Sequence, residues 1–355
     1  MSTQPVRVLV VDDSVVVRLL LAEAIRADPE LELVGVAPNG RAGLEKVEAL
    51  NPDVVVLDVE MPELDGLQTL AELRRRGRKL PVVMFSTLTS RGASATVEAL
   101  TLGASDYVTK PSTSSREESL AVLRDELAPK LRALGRQARD RPATRWQAPM
   151  PRVAATERAA PVELVVLGIS TGGPNALAEM LPQLPPDLPA PVLVVQHMPA
   201  MFTAMLAGRL DARCPLRVAE AAGGETPRPG ELWIAPGGRH LAVTHTHGEP
   251  RLVVHDGPHV NSCRPAVDVL FESAAEAYGE GVLAVVMTGM GQDGLRGCQA
   301  VRAAGGQVVA QDEASSVVWG MPRFVAETGL AHAVVPLDAM AQEISRRVPS
   351  PVPAD

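Results

Sequence analysis

The sequence predicts two α/β domains in succession, each built on an open, mostly parallel sheet and joined by a basic linker. Three observations support this. Short apolar runs alternate with segments of helical period from Val6 to Lys110, and the same style resumes at Glu163. The chain has 355 residues, more than a single core of ordinary size accommodates. Between the two patterned regions, "PKLRALGRQARDRPATRWQAPMPRVAATERAAP" is rich in Pro, Ala and Arg and shows no sustained apolar period.

In the first region "VRVLVV", "LELVGVA", "DVVVLDV", "LPVVMFS" and "ASDYVTK" read as strands. "VVVRLLLAEAIRAD", "GRAGLEKVEALN", "GLQTLAELRRR" and "ATVEALTLG" read as helices between them. Five apolar strands with interleaved helices describe a doubly wound parallel sheet. In the second region "ELVVLGI", "PVLVVQH", "ELWIAPG", "GVLAVVMTG" and "GGQVVAQD" are strands, with "GPNALAEMLPQL", "PAVDVLFESAAEA" and "LRGCQAVRAAG" as helices. "RHLAVTHTHGEPRLVVHD" alternates as a hairpin does. The expected boundaries are 1–127 for the first domain, 128–160 for the linker, with a helical start continuing from "EESLAVLRDEL", and 161–348 for the second domain.

Charge is uneven. Residues 1–128 hold 14 Lys and Arg against 20 Asp and Glu, residues 129–160 hold 8 against 2, and residues 161–355 hold 12 against 20. Two acidic domains argue against DNA as partner, and the basic linker is expected to be solvated or to lean on acidic surfaces. Cys214, Cys263 and Cys298 are too few, and never paired as CxxC, for a disulfide framework or thiolate zinc site. No signal peptide or membrane-spanning run is read, so a cytoplasmic location without membrane insertion is expected.

Asp12 and Asp13 end the first strand, Asp58 the third, and Lys110 the fifth. Ligands of such sheets gather at the carboxyl ends of strands, so these groups should converge. Three carboxylates in one pocket ask for a hard cation such as Mg²⁺, and a carboxylate beside it and a lysine can accept a phosphoryl group. "VLVVDDS", "DVVVLDVEMPELDG", "VVMFSTLT" and "ASDYVTKP" resemble a two-component receiver domain. The resemblance implies Asp58 as phosphoacceptor and Asp12, Asp13, Asp58 and the Glu60 backbone carbonyl as Mg²⁺ ligands. It also implies Ser86 (Thr87 in a neighbouring register), Tyr107 and Lys110 as the switch residues.

Gly168-Ile169-Ser170-Thr171-Gly172 fits G-x-S-x-G, in which a sharp strand-to-helix turn exposes a serine. A phosphate-binding turn, an exposed nucleophile and a plain tight turn are the three readings; a dinucleotide fingerprint would need glycine at Ser170. His197 follows the next strand and Asp293 lies in the glycine-rich loop after another, which assembles the types that acyl transfer needs. The order Ser, His, Asp sets this apart from the common α/β-hydrolases. His245 and His247 read as a polar hairpin tip, and His240, His255, His259 and His332 have no ligand spacing.

"LGISTGGPNAL", "VVQHMP", "APGGRHL", "RPAVDVLFESAA", "MTGMGQDG" and "VVWGMPRFVAETG" together resemble the catalytic domain of bacterial chemotaxis protein-glutamate methylesterases, a Rossmann-like α/β domain. The resemblance implies hydrolysis of glutamate γ-methyl esters on chemoreceptor cytoplasmic domains and deamidation of receptor glutamines. Ser170 would be nucleophile, His197 base and Asp293 orienting acid, with Thr171 and the Met290 backbone assisting and no cofactor for the esterase step. A chemotaxis histidine kinase would phosphorylate the first domain, which would otherwise cover the Ser170 rim. The other class of reading is a phosphorylation-controlled adaptor that binds receptors without turnover. Cys263 and Ala266, which flank Arg264-Pro265, depart from the histidine and serine frequent in that family.

Overall fold

A computed structural model describes residues 4–111, 115–140 and 160–349. It divides into two units, Met1–Ala143 and Thr144–Asp355. The first contains β1 (Val6–Val11), α1 (Val15–Arg26), β2 (Leu31–Ala37), α2 (Gly40–Leu50), β3 (Val54–Asp58) and α3 (Gly66–Arg75). It continues with β4 (Val82–Ser86), α4 (Ser90–Thr101), β5 (Asp106–Thr109), α5 (Arg116–Val122), a π-helical stretch Leu123–Leu127, and α6 (Ala128–Asp140).

The strands pair in parallel in the order β2-β1-β3-β4-β5. Valines and leucines of β1, β3 and β4 are buried on both faces, as helices on each side of a parallel sheet require. Side chains at the helix starts accept orphan N–H groups: Ser14 from Val17, Asn39 from Ala42 and Thr89 from Gly92, while Asp65 and Gln68 form a capping box. The doubly wound five-stranded sheet expected from the sequence is present.

Residues 128–140, placed in the linker by composition, form a helix packed against the first unit. Leu123, Leu127, Leu131 and Leu134 are buried at helical spacing, so the apolar period extends further than composition suggests. Its polar side pairs Arg132 with Asp28 and Glu30, Arg136 with Glu30, and Arg139 with Asp53. The basic residues of this stretch therefore lean on acids of the first unit. Residues 141–159 of the linker, and the last residues of the C-terminal tail, lie outside the described residues.

The second unit contains β6 (Leu164–Ile169), α7 (Gly173–Met180), β7 (Val192–Gln196), α8 (Ala200–Asp211), β8 (Arg217–Glu220), β9 (Glu231–Ile234), β10 (His240–Thr246) and β11 (Glu249–His255). It closes with α9 (Val267–Tyr278), β12 (Val282–Val286), α10 (Leu295–Ala303), β13 (Gln307–Gln311), α11 (Met321–Glu327), β14 (Ala333–Val335) and α12 (Leu337–Arg347). Seven strands pair in the order β14-β13-β12-β6-β7-β9-β8, every pair parallel. β10 and β11 form a separate antiparallel hairpin, as their alternation predicts.

Chain order reverses at β6, which lies between β12 and β7. Loops after adjacent strands on either side of such a point part and leave a crevice at the carboxyl ends. The core beneath it is made by Leu164, Val166, Leu193, Val195, Phe271, Val282 and Val286, all fully buried.

Candidate active site and carboxylate pocket

Ser170, His197 and Asp293 follow β6, β7 and β12, the three strands around the reversal. Backbone bonds tie their loops together: the Ser170 N–H donates to Thr288 O at 3.0 Å and the His197 N–H to Ile169 O at 3.2 Å. Gln196 adds a bridge, donating from Nε2 to Ser170 O at 3.0 Å and His197 O at 3.4 Å. The turn after Ser170 uses Gly172 with φ of +78° at the N-cap of α7, a region where a side chain is strained. Gly289 allows the opposing loop to approach, because a Cβ there would lie 2.7 Å from Ser170 Cβ.

His197 Nε2 faces Asp293 Oδ2 at 2.8 Å, and its Nδ1 lies 3.8 Å from Cys263 Sγ. With the carboxylate on Nε2, that nitrogen carries the proton in the neutral ring, leaving the Nδ1 lone pair to accept one. Burial pulls the imidazole down, but its hydrogen bond to Asp293, with Cys263 adding to it, outweighs burial and lifts its pKa to about 9. Burial pushes Asp293 up, yet the His197 hydrogen bond and charge and N–H donors from Val267 and Asn261 hold it below the usual carboxylate value.

The carboxylate is fixed by five donors. Val267 N–H joins His197 at Oδ2, while Asn261 Nδ2 and the N–H groups of Asp268 and Gly294 reach Oδ1. Asn261 also donates to Asp268 Oδ2 at 2.8 Å, and buried Asp268 accepts from the N–H groups of Gly294 and Gly297. Sequence reasoning misses Asn261, Asp268 and Gln196. Their only trace is position, Gln196 beside His197 and Asp268 in "RPAVDV", and neither advertises a role until the strands are adjacent.

Among the described residues, the Ser170 hydroxyl makes no hydrogen bond, and the Thr171 and Met290 N–H groups have no acceptor. Thr171's side chain is buried and its carbonyl accepts from Thr288 Oγ1. Beside Asp293 a cleft of about 280 Å³ is lined by Asn261, Cys263, Met290, Gly291 and Gln292. Ala266 is buried as the N-cap of α9, and its N–H donates to His240 Nδ1, whereas Cys263 faces the histidine. His245 and His247 stand at the hairpin tip, outside any cluster of three ligand side chains among the described residues.

In the first unit Asp12, Asp13 and Asp58 bring carboxylate oxygens within 4.8 Å of one another. Lys110 Nζ spans Asp12 Oδ2 at 2.9 Å and Asp58 Oδ1 at 2.8 Å. Burial raises Asp58, Lys110 opposes it, Asp12's charge adds to it, and the result is about 6. For Lys110 burial acts downward, but the bonds to Asp58 and then Asp12 leave it raised. Ser86 is buried at the end of β4, opposite Thr109, and its carbonyl accepts from the Lys110 N–H at 2.6 Å. Tyr107 is buried, with Lys130 Nζ 5.4 Å above its ring, 2.8 Å from its carbonyl and 3.0 Å from Asp106. Glu60 places its N–H 3.4 Å from Asp58 Oδ1.

Comparison with known proteins decides the family. Residues 165–344 match the model of the CheB methylesterase, and residues 8–121 that of the response regulator receiver domain. The chain belongs to the CheB methylesterase family. It is 46% identical over 350 residues to a protein of Trichodesmium erythraeum, covering 96% of this chain and 99% of the relative. It is 49% identical over 360 residues to one of Nocardioides sp., covering 98% of each. Both relatives bear the name protein-glutamate methylesterase/protein-glutamine glutaminase. The crystal structure of the Thermotoga maritima CheB methylesterase catalytic domain matches with a TM-score of 0.51 and 42% identity, over 53% of this chain and 99% of that one. No helix among the described residues is long and apolar enough to cross a membrane.

Proposed function

We propose that this chain is a phosphorylation-activated protein-glutamate methylesterase that also deamidates glutamines, acting on the cytoplasmic domains of chemoreceptors. The observation that carries it is the His197–Asp293 pair at 2.8 Å, set beside Ser170 at the reversal point of a parallel sheet. A receptor-binding adaptor has no need of a carboxylate held by four further donors behind a histidine.

Ser170 Oγ attacks the ester carbonyl carbon while His197 Nδ1 takes its proton. The oxygen that becomes negative is received by the free N–H groups of Thr171 and Met290, preorganised at little cost during the reaction. Asp293, ionised and buried, stabilises the imidazolium. His197 then returns the proton to the leaving methoxide, releasing methanol, and water cleaves the acyl-serine by the same route in reverse to give glutamate. A glutamine side chain follows identical steps with ammonia as the leaving group, and no cofactor enters either sequence.

Asp58 is the proposed phosphoacceptor. The oxygen-only set of Asp12, Asp13, Asp58 and the Glu60 carbonyl suits Mg²⁺, which when bound would neutralise charge on the incoming phosphoryl group. Lys110 steadies the same anion, and Ser86 and Tyr107 are the proposed switch side chains that convey its arrival. The phosphodonor is a chemotaxis histidine kinase, and the chain works in the cytoplasm. The domain assignment that goes with this reading is a receiver at 1–127, a linker at 128–160 whose first part, 128–140, packs on the receiver as α6, and a methylesterase domain at 161–348.

A fluorophosphonate probe tests the esterase reading against the adaptor. Labelling should map to Ser170, disappear in Ser170→Ala and fall strongly in His197→Ala. Receptor binding without any labelling would favour the adaptor.

A further inference from the structure

The imidazole nitrogen that must take the serine proton is also faced by a thiol. Cys263 Sγ lies 3.8 Å from His197 Nδ1, and its other polar neighbour is the Asn261 carbonyl at 3.4 Å. Neither contact is a strong hydrogen bond, so the thiol is held near the base without being consumed by it. His197, Cys263 and Asp293 bring ligand atoms within 4.8 Å of one another, the only such mixed nitrogen, sulfur and oxygen group among the described residues.

We infer that His197 and Cys263 form a binding site for a thiophilic divalent cation, Zn²⁺, which reversibly shuts off the esterase. The spacing is close: tetrahedral zinc with Zn–N of about 2.0 Å and Zn–S of about 2.3 Å separates nitrogen and sulfur by about 3.5 Å, against 3.8 Å here, a difference that a small rotation of the Cys263 side chain closes. The tautomer fits as well, because in the neutral ring Asp293 on Nε2 leaves the Nδ1 lone pair free, where the metal competes with a single proton. A carboxylate behind a metal-bound histidine orients the ring and strengthens it as a ligand. Cys263 is half-buried and lines the cleft of about 280 Å³, which leaves room for water in the remaining coordination positions.

Binding releases to solvent the thiol proton and, from the imidazolium that prevails at pH 7, the Nδ1 proton, and it forms Zn–S and Zn–N bonds with no change of oxidation state. It occupies the lone pair that would accept the Ser170 proton, so turnover stops until the metal leaves. The receiver pocket, built from carboxylates alone, favours hard cations instead, so the two sites differ in kind. The inhibition, though not the binding, rests on His197 being the base proposed above.

The experiment uses the full chain, treated with chelator, as wild type, Cys263→Ser and Cys263→Ala. Co²⁺ titration should give wild type a thiolate-to-cobalt charge-transfer band that both variants lack. Zn²⁺ should inhibit methanol release by wild type at least tenfold more potently than by either variant, each measured against its own activity in chelator. EDTA should restore the wild type. A band that persists in Cys263→Ala, no band in wild type, or equal inhibition of all three proteins would overturn the site. A Cys263-dependent band without inhibition would uphold the site and instead contradict His197 as base.

Discussion

The strongest quantitative consequence of the site concerns its pH dependence. His197 is lifted from an ordinary value of 6.5 to about 9, which corresponds to about 3 kcal/mol in favour of the imidazolium. Only roughly 1% of the ring is then neutral at pH 7, and in the proposed mechanism the free base takes the serine proton. Between pH 7 and 9 the enzyme's kcat/KM should therefore rise about 50-fold, with its midpoint near 9. The perturbation is Asp293→Asn, which keeps the shape and removes the charge. That midpoint should then fall by at least one unit towards 6.5, while the plateau drops by about 10⁴-fold as in other triads whose acid is neutralised. The assay is methanol release from methylated receptor fragments across pH 6–10, with Ser170→Ala subtracted to remove hydroxide-driven hydrolysis. A wild-type midpoint near 6.5, or one that does not move in Asp293→Asn, would refute the reasoning. Linkage has the same sign: a raised histidine contributes stability that is complete below 6.5 and is lost as pH rises through about 9. Urea midpoints of wild type should fall relative to His197→Ala across that window.

Other outcomes follow from named contacts. Asn261→Ala removes the donor shared by Asp268 and Asp293 and should lower kcat about 10–100-fold with little change in KM, read from steady-state kinetics. Asp58→Asn should lose all stimulation by a small phosphodonor with Mg²⁺ while keeping basal methanol release; full stimulation of that variant would remove Asp58 as acceptor. Lys130→Met leaves buried Asp106 without its cation and should destabilise the first unit by about 3 kcal/mol in urea unfolding. Replacing Arg132, Arg136 and Arg139 together by Gln should loosen α6 at low salt, seen as faster amide exchange over 128–140, with a smaller difference at high salt.

The strands that carry chemistry are the most legible part of the sequence, because each is an apolar run ending in a reactive residue. Asp12, Asp58, Ser170 and His197 stand out from that pattern. Short edge strands such as Arg217–Glu220 and Ala333–Val335 do not, since three or four half-buried residues carry too little periodicity. The helices Ala200–Asp211 and Leu337–Arg347 escape the sequence reading although both bury apolar residues on one face. Residues 128–140 are half legible: composition places them in the linker, with a helical start and arginines either solvated or leaning on acids, and each of Arg132, Arg136 and Arg139 has an acid opposite it in the first unit. The supports of the His197–Asp293 pair are illegible for a different reason. Asn261 lies 32 residues from Asp293, and only the fold makes them neighbours. The orientation of the His197 ring, which turns Nε2 rather than Nδ1 towards the acid, has no sequence signature at all.

The central claim is that Ser170 chemistry on receptor methyl esters is governed by phosphorylation at Asp58. The most direct measurement is methanol release from methylated receptor cytoplasmic fragments by wild type and Ser170→Ala, with and without a small phosphodonor and Mg²⁺. Wild type should release methanol, and more of it with phosphodonor, whereas Ser170→Ala should release none under either condition. Release that survives in Ser170→Ala, or its absence in wild type while the fragments still bind, would contradict it.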